Sequence, residues 1–375
     1  MGRVKLSDVA RRVNIHVDQA STDLEYYVGG EHIDSRSLMV RRKSKIKGAT
    51  IGYQFQFGFK KGHVLFMTKN PHLRKASMVD FDGLCSIATF VLETLDATVL
   101  DQRYLLAEMQ TDRFWDYCEE HKSGSVNYFI NWTTLAEYEF DLPSIEEQRA
   151  LAEKLWAAND LKEKYQNLLV ATDEMLRAKF REMFGECGRV PLKDCAEILR
   201  GVSYKPADVL DSLENGVVIL RANNICDGML NFDDTVVVRV ERVSEKQRVR
   251  KGDIVICAAN GSVKLVGKAG LAYNDMPNVS FGTFCLLVRP RKISSKILST
   301  YFTTDEYRSN IEIAAHGTNI NNIKPSTLDE TMVPDVEESK RREFETIVDA
   351  AGASKAELKK SIASIDAVMR GLING

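Results

Sequence analysis

A mixed segment followed by one long heptad-patterned segment occurs twice in this chain, and that duplication limits what the chain can fold into more than any other feature. Val4-Lys5-Leu6-Ser7-Asp8-Val9-Ala10 returns as Val190-Pro191-Leu192-Lys193-Asp194-Cys195-Ala196. Lys60-Lys61-Gly62-His63-Val64 returns as Arg250-Lys251-Gly252-Asp253-Ile254, and Ala88-Thr89-Phe90-Val91-Leu92 as Gly282-Thr283-Phe284-Cys285-Leu286. The offsets stay between 186 and 194. A duplicated chain is expected to have a pseudo-twofold, which suits a ligand or partner with two half-sites.

Leu142-Pro143 opens one long segment and Val333-Pro334 the other. Ser144-Ile145-Glu146-Glu147 has the form of a capping box, and no Pro or Gly follows until Gly185. The spacing predicts a helix over 145–184, about 60 Å long at roughly 1.5 Å per residue. The second helix is expected to begin at Asp335, with Glu338 in the N3 role, and to end near Arg370 before Gly371. Its apolar seam alternates fours and threes: Phe344, Val348, Ala351, Lys355, Leu358, Ile362, Ile365, Met369, Leu372. Shifted back by 193, the same seam falls on Leu151, Leu155, Ala158, Lys162, Tyr165, Leu169, Thr172, Leu176 and Lys179. Sustained spacing of this kind argues for a coiled coil, and two matched helices in one chain most simply pair antiparallel with each other. Lys162 and Lys355 share one seam position and either fix the register or snorkel. Leu161, Leu168 and Met175 widen the stripe, for a partner or for the helix's own domain.

The segments 1–143 and 186–333 read as mixed α/β domains, giving an α+β class with two such domains in pseudo-twofold repeat separated by helices at 144–185 and 334–375. Val64–Met67, Thr89–Leu92, Thr235–Val238 and Ile254–Ile256 have strand character, whereas Glu108–Glu120 and Ser295–Tyr307 look helical. The 375 residues allow two cores of ordinary size, and 44% hydrophobic with 28% charged residues is typical of a soluble globular protein. Seven scattered Cys without a C-x-x-C argue against a zinc site. With no apolar leader at the N-terminus, they point to reduced thiols in the cytoplasm. No run of about 18 apolar residues is present, so no membrane partner is expected.

The formal net charge of −2 speaks against nucleic acid, but its distribution reverses that reading. Residues 36–75 hold eleven Lys or Arg and no Asp or Glu. Such a stretch is either a solvated surface or a phosphate-facing one. Its candidate DNA contacts are Arg36, Arg41, Arg42, Lys43, Lys45, Lys47, Lys69, Arg74 and Lys75. Tyr53, Phe55, Phe57 and Phe59 alternate with Gln54, Gln56 and Gly58, a strand with one buried face before it is a base-stacking platform.

Motifs for chemistry are missing. Asn70-Pro71-His72-Leu73 lacks the second Pro and the aromatic of the adenine-N6 methyltransferase motif, and no Gly-rich turn for S-adenosylmethionine accompanies it. Pro334-Asp335 and Glu338-Ser339-Lys340 have nuclease letters at helix-cap spacing. The six His show no metal-ligand spacing, so no catalytic residue, metal or cofactor is assigned. His121-Lys122-Ser123-Gly124-Ser125-Val126-Asn127 matches Ala314-Ala315-His316-Gly317-Thr318-Asn319-Ile320-Asn321-Asn322, with Gly124 on Gly317 and Ser125 on Thr318. Gly flanked by hydroxyls and amides suits phosphate or base-edge hydrogen bonds, or a helix C-cap and turn. This adds Lys122, Ser123, Ser125, Asn127, Thr318, Asn319 and Asn321 as candidates. Arg221, Asn223, Asn224 and Asn260 are candidate base readers in the second domain, with Lys205, Ser262 and Lys264 beside them.

Two mixed domains, each followed by a long helix opening Leu-Pro-x-x-x-Glu-Gln, resemble the DNA-specificity subunit of type I restriction–modification systems. The residues are Leu142-Pro143-Ser144-Ile145-Glu146-Glu147-Gln148-Arg149. The second copy, Val333-Pro334-Asp335-Val336-Glu337-Glu338-Ser339-Lys340, departs at the Gln and needs two extra residues before its seam. The resemblance covers essentially the whole chain. It implies that each domain reads one half of a split, asymmetric site in double-stranded DNA. It also implies that the helices space the readers and dock two methyltransferase subunits, which carry the S-adenosylmethionine, with restriction subunits as an optional addition. A coiled-coil adaptor or repressor acting without methyltransferase partners is the alternative.

Overall fold

The computed structural model describes residues 2–315 and 321–375. It forms two compact units, Met1–Asn167 with Lys359–Gly375, and Leu168–Leu358. Each unit therefore takes one mixed domain and part of both long helices.

In the first unit, an antiparallel sheet runs in the order Ala10–Val13, Thr89–Thr94, Val64–Met67, Ala76–Met78. A second sheet orders Ile15–His16, Phe55–Phe59, Gly83–Ser86, Tyr26–Val28 and Ser44–Lys45, with one parallel pairing, Tyr26–Val28 on Gly83–Ser86. Phe57 and Phe59 are buried, as the alternation predicts, and Tyr53 is 89% exposed in the preceding loop. The first sheet packs under helices Gln102–Met109 and Asp112–Glu120, in a core built on Phe66, Phe90, Phe114 and Trp115. Leu155 and Met369 of the long helices close that core.

The second unit repeats the plan. Its first sheet begins Ala196–Arg200, Cys285–Pro290, Ile254–Cys257, Ala269–Leu271, and extends to Met229–Leu230 and Ile225–Cys226. A four-stranded sheet of Val209–Leu210, Val236–Arg239, Gly216–Leu220 and Val279–Phe281 again has one parallel pairing, between the last two. In both units a short ribbon leads from the first strand to a long helix: Gly2–Lys5 with Glu139–Leu142, and Arg189–Pro191 with Met332–Pro334.

Two expectations need correction and one is refined. The stretches 108–120 and 295–307 are helical as expected, each divided between two helices: Gln102–Met109 then Asp112–Glu120, and Ser295–Tyr301 then Asp305–Ala315. Thr111 and Thr304 make the breaks alike. Thr111 Oγ1 accepts from Phe114 N at 3.2 Å while donating to Glu108 O at 2.8 Å. Thr304 Oγ1 accepts from Tyr307 N at 3.3 Å while donating to Tyr301 O at 2.7 Å. A hydroxyl that caps the next helix and ties back to the last one sets a corner in an otherwise continuous pattern. Second, the later long helix spans Glu338–Asn374. Asp335 instead extends the ribbon, its N–H donating to Gly188 O at 2.8 Å, and Gly371 is carried inside the helix. Third, strand register shifts the repeat near residue 284. Leu92 lies opposite Val64, and Val288 lies opposite Ile254. Since Val64 and Ile254 are equivalent, Ala88 matches Phe284, not Gly282; the shared Thr-Phe letters slip by two residues.

The first long helix spans Ile145–Phe184, as the capping box predicts. Ser144 N donates to Glu147 Oε2 at 2.9 Å, and Glu147 N returns to Ser144 Oγ at 3.3 Å. Every seam position is buried or half-buried on both helices, whereas Leu161, Leu168 and Met175 remain 42–49% exposed. Inside the first unit the helices run antiparallel, with Lys162 Nζ on Asp366 Oδ1 at 2.6 Å. Inside the second they do the same, with Lys355 Nζ on Asp173 Oδ1 at 2.6 Å and Phe344 against Phe180 and Phe184. Among the described residues no helix is long and apolar enough to cross a membrane.

Candidate nucleic-acid interface

The same junction of two loops forms in each unit, where the central strand of the first sheet ends. In the first unit Val64–Met67 leads into Thr68, whose N–H and hydroxyl both donate to Ala88 O, at 2.9 and 3.0 Å. Ile130 N donates to Thr68 O at 3.0 Å, Lys69 bridges Phe129, and Asn70 N donates to Tyr128 O at 2.8 Å. Ser123 and Phe129 exchange two backbone bonds of 2.7 and 2.9 Å, which closes the loop between them. Gly124 turns this loop at φ +97°, and a Cβ there would sit 2.6 Å from Asn127 O. Gly is therefore required on both conformational and steric grounds.

In the second unit Ile254–Cys257 leads into Ala258 and Ala259, whose N–H groups both donate to Phe284 O, at 2.8 and 3.1 Å. Ile323 N donates to Ala258 O at 2.9 Å. Ala259 and Asn260 pair with Asn322 and Asn321 as a short antiparallel ribbon. Asn260 Oδ1 accepts Ser262 N at 3.0 Å, and Asn321 Nδ2 donates to Gly261 O at 3.1 Å. Arg308 fastens the far side of the loop, donating to Val266 O at 2.7 Å and Lys264 O at 2.8 Å.

The candidates divide around this frame. Asn260, Ser262, Lys264 and Asn321 come together at the second junction; Lys69, Lys122, Ser123, Ser125 and Asn127 do so at the first. Thr318 and Asn319 lie outside the described residues. Ser125 and Asn127 are exposed, whereas Lys122 Nζ pairs with Glu119 at 2.6 Å and sits 4.4 Å from the Tyr128 ring centroid.

The acid-free stretch of sequence is not acid-free in space. Arg36 and Arg74 share Asp112, and Arg42 meets Asp34. Arg41 grips Glu163 of the long helix at 2.7 Å and Asp80 at 3.1 Å, and Lys45 lies 3.5 Å from Glu25. Lys43 Nζ stands over the Tyr26 and Phe81 rings, 3.8 and 4.1 Å from their centroids. Lys75 Nζ donates to Gly30 O at 2.6 Å. Lys47 and Lys69 are exposed and make no ion pair with a described residue.

Lys205 is exposed beside the second unit's turn at Asp208. Arg221, Asn223 and Asn224 converge on Asp234 with bonds of 2.8, 2.8 and 2.9 Å. Asn224 leaves the set of contacts: it has no exposed surface, and its Oδ1 caps a short turn by accepting Arg221 N at 2.8 Å. His32 is its counterpart, with Nδ1 accepting Gly29 N at 2.8 Å. Burial pushes the His32 imidazole below its ordinary value, against an opposing pull from Glu31.

Sequence reasoning missed the partnership of the two loops and the place of Phe284. That residue is 63% exposed beside the second junction. Its letters align with the buried Phe90, and only strand register separates them. Burial raises the thiols of Cys257 to about 11 and Cys285 to about 12, beneath the same junction, so neither is a nucleophile at neutral pH. Among the described residues no cluster of His, Cys, Asp and Glu is placed to hold a metal ion.

Two units of this build, sharing two long helices, have the fold of type I restriction–modification specificity (S) subunits. The S subunit from M. genitalium aligns over 99% of this chain and 94% of its own, with TM-score 0.55 and 16% identity. A chain from a solved type I system, studied for its assembly and conformational transition, aligns over 99% and 96% with TM-score 0.54 and 18% identity. In sequence, the chain is 35% identical over 177 residues to the StySPI type I restriction enzyme specificity subunit of Salmonella potsdam, covering 45% of this chain and 38% of that protein. It is 32% identical over 196 residues to the EcoKI specificity subunit of Escherichia coli K12, covering 49% and 42%. The chain thus spans less than half the length of the curated relatives it matches. No family model matches it. The resemblance read from the helix openings is met in both the fold and the curated relatives.

Proposed function

We propose that this chain is the non-catalytic, sequence-specific DNA-binding subunit of a type I restriction–modification complex, acting in the cytoplasm. The segments 1–143 and 186–333 serve as target recognition domains, each reading one half of a bipartite, asymmetric site in double-stranded DNA. The helices at 144–185 and 334–375 space them and dock two methyltransferase subunits, and restriction subunits where present. The exposed side chains of Leu161, Leu168 and Met175 offer the first helix an apolar docking stripe.

One observation carries this reading. A duplicated scaffold holds the same two-loop junction in each copy, but fills it with different chemistry: Lys69 with Phe129 and Asn70 with Tyr128 in one, Ala259 with Asn322 and Asn260 with Asn321 in the other. A scaffold conserved in geometry and divergent at one polar junction is what reading two unlike half-sites requires. The test is the adenine methylome of the host with and without the gene, together with co-purification. A bipartite asymmetric motif that disappears with the gene, and two methyltransferase chains per copy, are expected. An unchanged methylome would reject the assignment.

A further inference from the structure

The second junction presents two amides whose free halves differ. Asn260 and Asn321 face each other across the ribbon. Paired residues on one face of such a ribbon have Cβ atoms about 5 Å apart, close enough to address one base pair. Asn260 commits its oxygen to Ser262 N–H at 3.0 Å, so its remaining group is the Nδ2 donor. Asn321 commits its nitrogen to Gly261 O at 3.1 Å, so its remaining group is the Oδ1 acceptor. Both assignments are fixed by backbone partners of known polarity, which removes the usual amide ambiguity. Neither free half bonds a described residue. The ribbon is one donor and one acceptor, side by side, on a two-stranded element of the kind a major groove admits.

We propose that Asn260 and Asn321 jointly read one A·T base pair, Asn260 donating to adenine N7 and Asn321 accepting from the adenine N6 amino group. This rests on the DNA-reading function above and names a base pair within it. Adenine carries an acceptor and a donor on one rigid edge, which is why a single Asn reads it bidentately elsewhere; here two residues divide the task. Guanine offers two acceptors and leaves Asn321 unsatisfied. Across a G·C pair the cytosine amino group supplies a donor, but no methyl. An apolar neighbour favours A·T further: Phe284, 63% exposed, is pinned beside the ribbon by the two bonds its carbonyl accepts from Ala258 and Ala259. Its ring suits the thymine methyl. The first unit has Asn70 and Tyr128 at the equivalent positions, bridged by Asn70 N donating to Tyr128 O, and reads a different base pair.

The test uses the full chain and a pool of duplex DNA randomised over twenty or so base pairs, about two helical turns. Wild type and Asn260→Asp are selected in parallel. Asp keeps the oxygen that caps Ser262 and turns the free donor into an acceptor. The expected result is a bipartite consensus in which one A·T position, in one half only, loses about tenfold or more of its preference in the variant. The second measurement does not depend on the variant folding. Replacing that adenine by 7-deazaadenine should weaken wild-type binding by a similar factor and leave Asn260→Asp unaffected. A wild-type consensus whose positions all survive Asn260→Asp, or a sensitive position that is G·C, or indifference to 7-deazaadenine, overturns the pairing and leaves DNA reading intact. Selection of no consensus by the wild-type chain overturns the DNA-reading function itself, and the pairing with it.

Discussion

Gln148 is an uncharged amide with no exposed surface, and it spends three hydrogen bonds on one corner. Its nitrogen donates to Val99 O at 3.0 Å and Pro143 O at 2.9 Å, and its oxygen accepts Asp101 N at 2.9 Å. Asp101 in turn caps helix Gln102–Met109. The Gln of the helix opening therefore locks the start of the long helix to the mixed domain before it, a physical reason for the motif. Gln148→Ala would deprive three part-buried backbone groups of this partner, and about 3 kcal/mol of stability should be lost in chemical denaturation. In the second copy the seam offset puts Arg341 in its place. A guanidinium does not fit a neutral backbone slot, and Arg341 turns to Glu338 at 2.5 Å. A cavity of about 240 Å³ lined by Lys292, Ser294, Pro334 and Arg341 remains. The two caps His32 and Asn224 give a pH prediction. Burial lowers the folded-state pKa of His32 below 6.5, so the unfolded chain binds the proton more readily. Its contribution is full above pH 6.5 and is lost as pH falls below that value. Protonation also removes the acceptor for Gly29 N–H. Protection from hydrogen exchange over residues 26–34, relative to the intrinsic rate at each pH, should fall on acidification, and His32→Asn, copying the second unit, should flatten that response; an unchanged profile would argue against the imidazole as the titrating cap. Among the cations, Lys47 and Lys69 lack carboxylate partners. Neutralising both should reduce the salt slope of DNA binding by about two, whereas Arg41→Ala should act mainly through its lost grip on Glu163.

The long helices show what a periodic pattern reveals and what it hides. Their seams were legible because every apolar position repeats the same burial requirement over many turns. The role of Lys162 and Lys355 was not, because their partners lie off the seam. Each lysine reaches an aspartate on the opposing helix, Asp366 and Asp173, and both lysines and aspartates are related by the same shift of 193. One duplicated pair thus sets the register twice. Lys162→Asp should cost about 1 kcal/mol in thermal or denaturant melting. Lys162→Asp with Asp366→Lys should recover most of it, since a partly exposed pair is worth little beyond its sign. No recovery would mean that the lysine stem, not its charge, fills the seam. Short elements were harder to read. Thr111 and Thr304 break helices whose apolar pattern continues through the corner, because a local cap competes with the period. The slip at Ala88 and Phe284 arose from identical letters on a strand, where a two-residue shift preserves the facing side and leaves no pattern error to detect. At the candidate interface, individual polar residues were legible by type. Their grouping depended on loop-to-loop bridges between positions some sixty residues apart.

Across the whole chain, the duplication keeps geometry and lets chemistry drift. His63 caps Lys60 N at 3.1 Å and meets Glu93 at 3.4 Å. At the matching place Asp253 caps Arg250 N at 2.8 Å and holds Arg289 at 2.7 Å. The pairing is retained with its direction reversed, the imidazole facing a carboxylate in one copy and the carboxylate facing a guanidinium in the other, so the scaffold selects for a satisfied turn and not for particular residues. The polar junctions obey the opposite rule: their backbone bridges match and Asn70 answers Asn260, but Lys69, Tyr128 and Phe129 stand where Ala259, Asn321 and Asn322 do. If the scaffold is generic and the junction specific, a recognition segment is transferable as a unit. Replacing residues 186–333 with the corresponding segment of a relative should preserve assembly, because all of the ribbon Arg189–Pro191 with Met332–Pro334 except Pro334 travels with the insert. Phe180, Phe184 and Phe344, on which that core closes, stay with the host chain, so a poor match there predicts loss of stability before loss of specificity. The measurement is the methylated motif of the chimaera. One half should change to that of the donor and the other should stay. A chimaera that folds and assembles but alters both halves, or neither, would show that recognition is not partitioned between the two copies.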